Sequence, residues 1–391
     1  VRLAHLADLH LGFRQFDRTT DGGRNTRETD VAIALGRAID DVIGQRPDVV
    51  AIAGDVFHSV RPPNSAILVF VDQLARLRAA LPEAVVVLVA GNHDTPRTTE
   101  TGFILPLVER LGVHVALLEP LQLAVERLGL TITAVPSAAA SRIPAPAAAG
   151  LNLLVLHAGV AGFSGPAPRD AADPAALEVA GWDYVALGDY HVAAQVGRRA
   201  WYSGSIEYTS TDPWGELKKQ NELGVAGKGY LTVDLTRGVP VVTFRPIGPT
   251  RRFVDLPPIE GTGLGAEQLD AAIADRIAEL GSLEGAVVRL VVREVTRDVR
   301  RALNHKQLAT WKGQALNLQI DLRRAEHEIS PAARASRFKQ LDEALAEFLG
   351  ARALDPAIDR AAFVERGLAV FQEVGLDPKR DPYTNEIVPG L

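Results

Sequence analysis

The chain has 391 residues, 47% of them apolar and 6% aromatic, a length that predicts two or three domains with enough core to support a rigid site. Absence of cysteine excludes disulfides and thiolate metal sites, and a net charge of −6 argues against a surface that coats nucleic acid throughout. No apolar run nears the roughly 20 residues needed to cross a bilayer and no signal peptide opens the chain, so a cytoplasmic location without membrane contact is expected.

In chain order, Val1–Ala7 reads as a buried strand running into Asp8-Leu9-His10. Thr29–Gln45 places Val31, Leu35, Ala38, Ile39 and Val42 on one helical stripe. A second strand, Val49–Ala53, ends in Gly54-Asp55. Asn64–Ala80 repeats the helix, with Asn64 or Ser65 as its N-cap. Val85–Ala90 ends in Gly91-Asn92-His93-Asp94. Residues 113–135 predict shorter strands, and Ser137–Gly150, rich in alanine and proline, predicts a loop. Leu151–Leu156 then leads into His157, and Tyr184–Leu187 into Gly188-Asp189-Tyr190-His191. Tyr230–Asp234 and Val239–Pro246 predict a hairpin turning at Thr236-Arg237-Gly238. Strand–helix–strand repetition means an α/β fold, with a parallel or mixed sheet covered on both faces.

Pro246, Pro249, Pro257 and Pro258 punctuate a linker, which sets the expected domains at 1–250, 251–325 and 326–391. The middle one is predicted as a small α+β unit: helix Glu267–Leu280, strand Ala286–Val295 and a further strand at Ala315–Leu322. Between Ala286 and Arg324 lie nine basic and three acidic residues, a +6 stretch in a chain that is negative overall. Such a stretch can attract phosphates, or it can be an ordinary solvated face. Ala332–Leu349 and Arg360–Val374 predict two amphipathic helices, and Asp381–Leu391 a disordered tail.

Five strand ends therefore carry Asp, Asn or His. In an open α/β sheet the ligand crevice lies beyond the carboxyl ends of the strands, so these residues can converge. Carboxylate, amide oxygen and imidazole hold divalent ions such as manganese, iron and zinc. A pair of ions about 3.5–4 Å apart needs a carboxylate between them, and Asp55, on the central strand, is the choice. His93, between Asn92 and Asp94, is spare as a ligand and placed to protonate a leaving group, with Asp94 orienting its ring. His5 is expected to be structural. His58 could support the site or simply pack, and His114, His305 and His327 belong to no constellation.

The ordered set D-x-H, G-D, G-N-H-D, H and G-x-x-H resembles the calcineurin-like metallophosphoesterase superfamily. More narrowly it resembles the SbcD-type nuclease subunit of the double-strand-break repair complex. The narrower likeness rests on Ala7-Asp8-Leu9-His10-Leu11-Gly12, on Arg27-Glu28-Thr29-Asp30, and on Tyr202-Ser203-Gly204-Ser205-Ile206-Glu207 with Lys228-Gly229-Tyr230. It covers the first 245 residues well and the rest loosely. The resemblance implies a two-sheet metallophosphoesterase sandwich flanked by helices, with a small α+β cap domain and C-terminal helices. It implies two divalent ions, manganese foremost, with magnesium, iron or zinc as alternatives. Asp8, His10 and His191 would hold the first, Asp55 would bridge, Asn92 and His157 would hold the second, and His93 would be catalytic. Asp189 stands where the family has a histidine that binds the second metal. The implied activity is exonuclease and endonuclease cleavage of DNA at duplex ends, as the nuclease subunit of an SbcCD-like repair complex. Arg300, Arg301, Lys306, Lys312 and Ser205 would contact DNA. The C-terminal helices would dock on an SbcC-like SMC-type ATPase, within a homodimer. Two other readings stay open: a phosphodiesterase or phosphatase for a small molecule or nucleotide, and a catalytically weak scaffold subunit.

Overall fold

The computed structural model describes residues 1–98, 102–161, 163, 172–177, 181–235, 239–324, 341–350, 352, 354 and 358–373. The chain forms two compact units, Val1–Asp255 with Ser282–Arg289 and Ala309–Gln319, and Leu256–Gly281 with Leu290–Leu308 and Ile320–Leu391.

The first unit begins with β1 (Arg2–Leu6), β2 (Val49–Ile52), β3 (Val85–Val89) and β4 (Val113–Ala116), all parallel. Helix α1 (Thr26–Gln45) joins β1 to β2, and α2 (Asn64–Ala80) joins β2 to β3. Next come β5 (Leu121–Val125), β6 (Leu130–Val135), β7 (Leu151–His157), the short α3 (Pro174–Leu177), β8 (Tyr184–Gly188), β9 (Ala194–Gln195) and β10 (Ala200–Tyr202). Helix α4 (Pro213–Leu223) precedes β11 (Gly229–Asp234) and β12 (Val241–Pro246). Two six-stranded sheets result, ordered β12-β11-β1-β2-β3-β4 and β5-β6-β7-β8-β10-β9.

Strands β1, β2 and β3 are buried on both faces, so their sequences read as unbroken apolar runs. Leu3, Val49, Ala51, Val87 and Val89 pack against Ile132, Leu153, Val155 and Tyr184 of the second sheet. The alternate residues Ala4, Leu6, Val50, Ile52, Val86 and Leu88 meet Val31, Leu35, Ile39, Phe70 and Leu74 of the two helices. His5 falls on the inter-sheet face. Its Nδ1 lies 3.0 Å from the Tyr184 hydroxyl and its Nε2 3.1 Å from the Leu187 carbonyl, so it ties β1 to β8. Burial pulls its pKa down to about 3 against the lesser pull of that carbonyl, so the ring is neutral.

Some boundaries differ from the sequence reading. Helix α1 starts at Thr26 because the Asn25 side chain caps it, accepting from the Arg27 and Glu28 N–H groups; that polar first turn carries no apolar stripe. Helix α2 is preceded by Pro63, which makes no side-chain cap, rather than capped by Asn64 or Ser65. The expected linker contains a strand, β13 (Phe253–Glu260), which includes Pro257 and Pro258. It lies at the edge of a sheet ordered β13-β14-β15, the position where a strand tolerates proline, with β14 (Val287–Val295) central and β15 (Asn317–Arg324) beyond.

Helices α5 (Ala266–Ala278), α6 (Arg297–Ala302) and α7 (His305–Gln314) are followed by α8 (Leu341–Gly350) and α9 (Arg360–Glu373). The Thr236-Arg237-Gly238 turn, residues 332–340 of the expected helix and the tail Asp381–Leu391 lie outside the described residues. Among those described, no helix is long and apolar enough to cross a membrane.

Candidate metal centre

Parallel strands bring the five motifs to one edge of the first unit. Asp8 and His10 follow β1, Asp55 follows β2, and Asn92, His93 and Asp94 follow β3; His157 ends β7, while Asp189 and His191 follow β8. The loops after β1 and β2 are stitched by backbone bonds: Asp8 N–H to the Gly54 carbonyl at 3.0 Å, His10 to Asp55 at 2.9 Å, and Leu11 to Val56 at 2.9 Å.

Seven non-glycine residues among those described have positive φ, and four are here: Asp8 (52°), His10 (45°), Asp55 (50°) and Asp189 (107°). Each such residue costs about 1–3 kcal/mol, and strain of this kind gathers where side chains must be aimed. The glycines have a different task. A Cβ on Gly91 would overlap the Asp55 carboxylate, and one on Gly54, itself at φ 88°, would overlap the His157 ring. Both motifs need glycine so that the neighbouring Asp55 and His157 side chains can approach.

Groups able to bind a metal face one another. Nε2 of His10 lies 3.0 Å from Nε2 of His191. The Glu216 carboxylate, 3.2 Å from His191 Nδ1, can only accept, so Nδ1 carries the hydrogen and Nε2 presents a lone pair. Two donors about 2.1 Å from one ion at right angles are about 3.0 Å apart, the separation seen. On the other side, the Ala53 carbonyl 2.8 Å from His157 Nδ1 places a hydrogen on that nitrogen and turns His157 Nε2 toward the centre. That Nε2 lies 3.1 Å from the Asn92 side-chain oxygen, 3.5 Å from Asp55 and 3.8 Å from Asp189. With its amide reversed, Asn92 would donate to His157 and to both Asp55 oxygens at 3.1–3.2 Å. With the oxygen inward and the rings neutral, imidazole nitrogen, amide oxygen and carboxylate can all turn lone pairs to the centre, the donor set a cation needs. Asp8, His10 and His191 thus form one donor group, and Asp8, Asp55 and His157 another. The residues fit divalent ions.

The electrostatics agree. Burial pushes Asp8 up to about 7, against the pull of His191 and His157 and with help from Asp55 and Asp189. For His157 burial works downward, but Asp55, Asp8 and Asp189 outweigh it and raise the ring to about 9. Carboxylates crowded without water want positive charge.

His93 adjoins the centre. Its N–H donates to Asp55 Oδ1 at 3.0 Å, its ring meets the His10 ring edge-on at 4.9 Å, and its Nδ1 donates to the His58 carbonyl at 2.8 Å. Asp94, expected to orient that ring, instead accepts from the N–H groups of Phe57 (2.9 Å), Gly91 (3.0 Å) and Val56 (3.1 Å). It braces the loops after β2 and β3, because a buried carboxylate takes the nearest unpaired backbone donors. His58 both stacks on His93 and reaches His10, its Nδ1 lying 3.4 Å from His10 Nδ1.

Ser205 is also corrected. It is buried, its N–H donates to the His191 carbonyl at 3.2 Å, and its hydroxyl donates to the Glu207 carbonyl and accepts from Lys228, so nothing is left to offer DNA. In the second unit, Arg300 and Arg301 line a concavity of about 360 Å³ with Val295, Arg297, His305 and Arg324. Lys306 and Lys312 are exposed on α7. Sequence reasoning missed Glu216 altogether, since one acid in the first turn of a helix is ordinary, and it met Lys228 only inside a motif.

Comparison with known proteins adds to this geometry. Residues 1–193 match the family described as calcineurin-like phosphoesterase. The DNA double-strand break repair protein Mre11 of Methanosarcina acetivorans is 29% identical over 306 residues, 72% of this chain and 44% of that protein. Its namesake in Methanosarcina mazei is 27% identical over 372 residues, 89% of this chain and 54% of the relative. The D component of the nuclease SbcCD from Bacillus subtilis is 33% identical over 117 residues, 29% of this chain and 27% of that one. The chain spans about half the length, or less, of these curated relatives.

Proposed function

Residues 1–193 belong to the calcineurin-like phosphoesterase family, and from that premise we propose that the protein is a divalent-metal nuclease of DNA double-strand-break repair. The observation that carries this reading is the pair of clustered Asp and His groups that could each hold an ion, with a histidine beside them whose Nδ1 is already engaged. The names of the relatives supply the substrate class.

Asp8, His10 and His191 would hold one ion, Asn92, His157 and Asp189 the other, and Asp55 would serve both. Mixed oxygen and imidazole donors suit manganese. When bound, the ions supply Lewis-acid charge to the phosphodiester and a water nucleophile usable at neutral pH. The remaining work falls to the protein. His93 donates Nδ1–H to the His58 carbonyl, a contact that orients the ring and leaves Nε2 to carry a proton to the departing oxygen. Arg300, Arg301, Lys306 and Lys312 would take DNA phosphates, contacts that position a duplex without reading sequence. Phe348 and Val370 are exposed apolar residues on α8 and α9, a surface proposed for an SMC-type ATPase, and a second copy of the chain would complete a homodimer.

The test is end-labelled linear duplex DNA incubated with Mn²⁺ and wild type, Asp8→Ala or His93→Ala. Degradation by wild type alone, with bound manganese near normal in His93→Ala, is the expected result. Hydrolysis of a small phosphodiester but not DNA would favour the small-molecule reading. Manganese bound with neither substrate cleaved would favour the scaffold.

A further inference from the structure

Glu216 and Lys228 do none of the chemistry above, yet both are buried beside it, with side chains 10% and 5% exposed. One Glu216 oxygen meets His191 Nδ1 at 3.2 Å and the other pairs with the Lys228 ammonium. That ammonium also donates to the His191 carbonyl at 2.8 Å and to Ser205 Oγ at 2.9 Å, which uses all three of its hydrogens. The face of the Tyr208 ring lies 4.7 Å from it. Thus α4 and the residue just before β11 both close on one residue, one on its ring and the other on its backbone.

A buried ion pair is weak evidence of stability, because removing two charges from water costs about as much as their attraction returns. Its geometry therefore needs another account. We propose that the Glu216–Lys228 pair is a positioning device for His191. Glu216 fixes the hydrogen on Nδ1, so that Nε2 turns its lone pair toward His10. Lys228 holds the second carboxylate oxygen, so that Glu216 cannot rotate away, and anchors the His191 carbonyl, so that the ring cannot withdraw. Residues that orient an imidazole ligand in this way typically change metal affinity 10–100-fold when altered. The inference rests on His191 being a metal ligand.

The experiment is Mn²⁺ binding by titration calorimetry on the full chain, wild type against Glu216→Gln and Lys228→Met, with thermal melting of each in chelator. The expected result is one bound equivalent weakened 10–100-fold in each folded variant and the other little changed. Manganese affinity equal to wild type would overturn the proposal even if the chelated variant melted lower, since a purely structural pair predicts that combination. Should Glu216→Gln fail to fold, Glu216→Asp keeps the charge but withdraws the carboxylate by one methylene, and it is held to the same loss. Wild type that binds no manganese would sink the metal-centre reading itself; wild type that binds, beside unaffected variants, would sink only the positioning role.

Discussion

The histidine that ties the two sheets makes a measurable pH dependence. His5 is fully buried, with Nε2–H donating to Leu187 and Nδ1 accepting from the Tyr184 hydroxyl, so the neutral ring has both nitrogens engaged and burial disfavours the charged one. Its folded pKa of about 3 lies below the ordinary 6.5. Between these values the unfolded chain binds a proton that the folded chain refuses. Stability from this residue is therefore intact above about pH 6.5 and is lost as pH falls toward 3. The slope is about 1.4 kcal/mol per pH unit, so the drop from pH 6 to pH 4 amounts to roughly 2–3 kcal/mol.

His5→Gln keeps a donor for Leu187 and removes the titration. At pH 7.5 the variant should be less stable by about 1–2 kcal/mol, the worth of a buried hydrogen bond and some packing. Urea unfolding in chelator, measured from pH 7.5 to 4, should show the wild-type and variant stabilities drawing together or crossing as pH falls. Other titrating groups are common to both chains and cancel in the difference. Curves that stay parallel would refute a neutral, buried His5.

Gly91→Ala should abolish or severely weaken metal binding, because its Cβ would overlap the Asp55 carboxylate; wild-type manganese stoichiometry by equilibrium dialysis would contradict this. Arg27→Met should destabilise the fold by about 3–5 kcal/mol. It strips the buried partner 2.7 Å from Asp30 and 3.2 Å from Glu207, and a urea-derived loss under 1 kcal/mol would show that Arg251, which also reaches Asp30, suffices. Asp189→His replaces an oxygen donor beside His157 with nitrogen. It should shift the second ion position from manganese toward zinc, about tenfold or more in competitive dialysis, and an unchanged ratio would mean that Asp189 is not a ligand.

The sheets and the strand-end motifs were legible along the chain because both signals are local. A doubly buried strand is an apolar run, and a metal donor needs a strand end to project from. Asp8, His10, Asp55, Asn92, His157 and His191 could be placed at strand ends without coordinates for that reason. Proline cannot announce an edge strand, so β13 read as linker. Asp94 lies next to His93 in sequence, but the nearest unpaired donors came from Val56, Phe57 and Gly91, and only the crossing of two loops decided that. Tautomers were equally out of reach. The hydrogens on His157, His93 and His191 are set by the Ala53 and His58 carbonyls and by Glu216, partners 25 to 104 residues away in the chain. Sequence determines which groups can bind a metal; the tertiary structure decides which of their atoms are left free to do so, because a hydrogen bond depends on distance in space and not on distance along the chain.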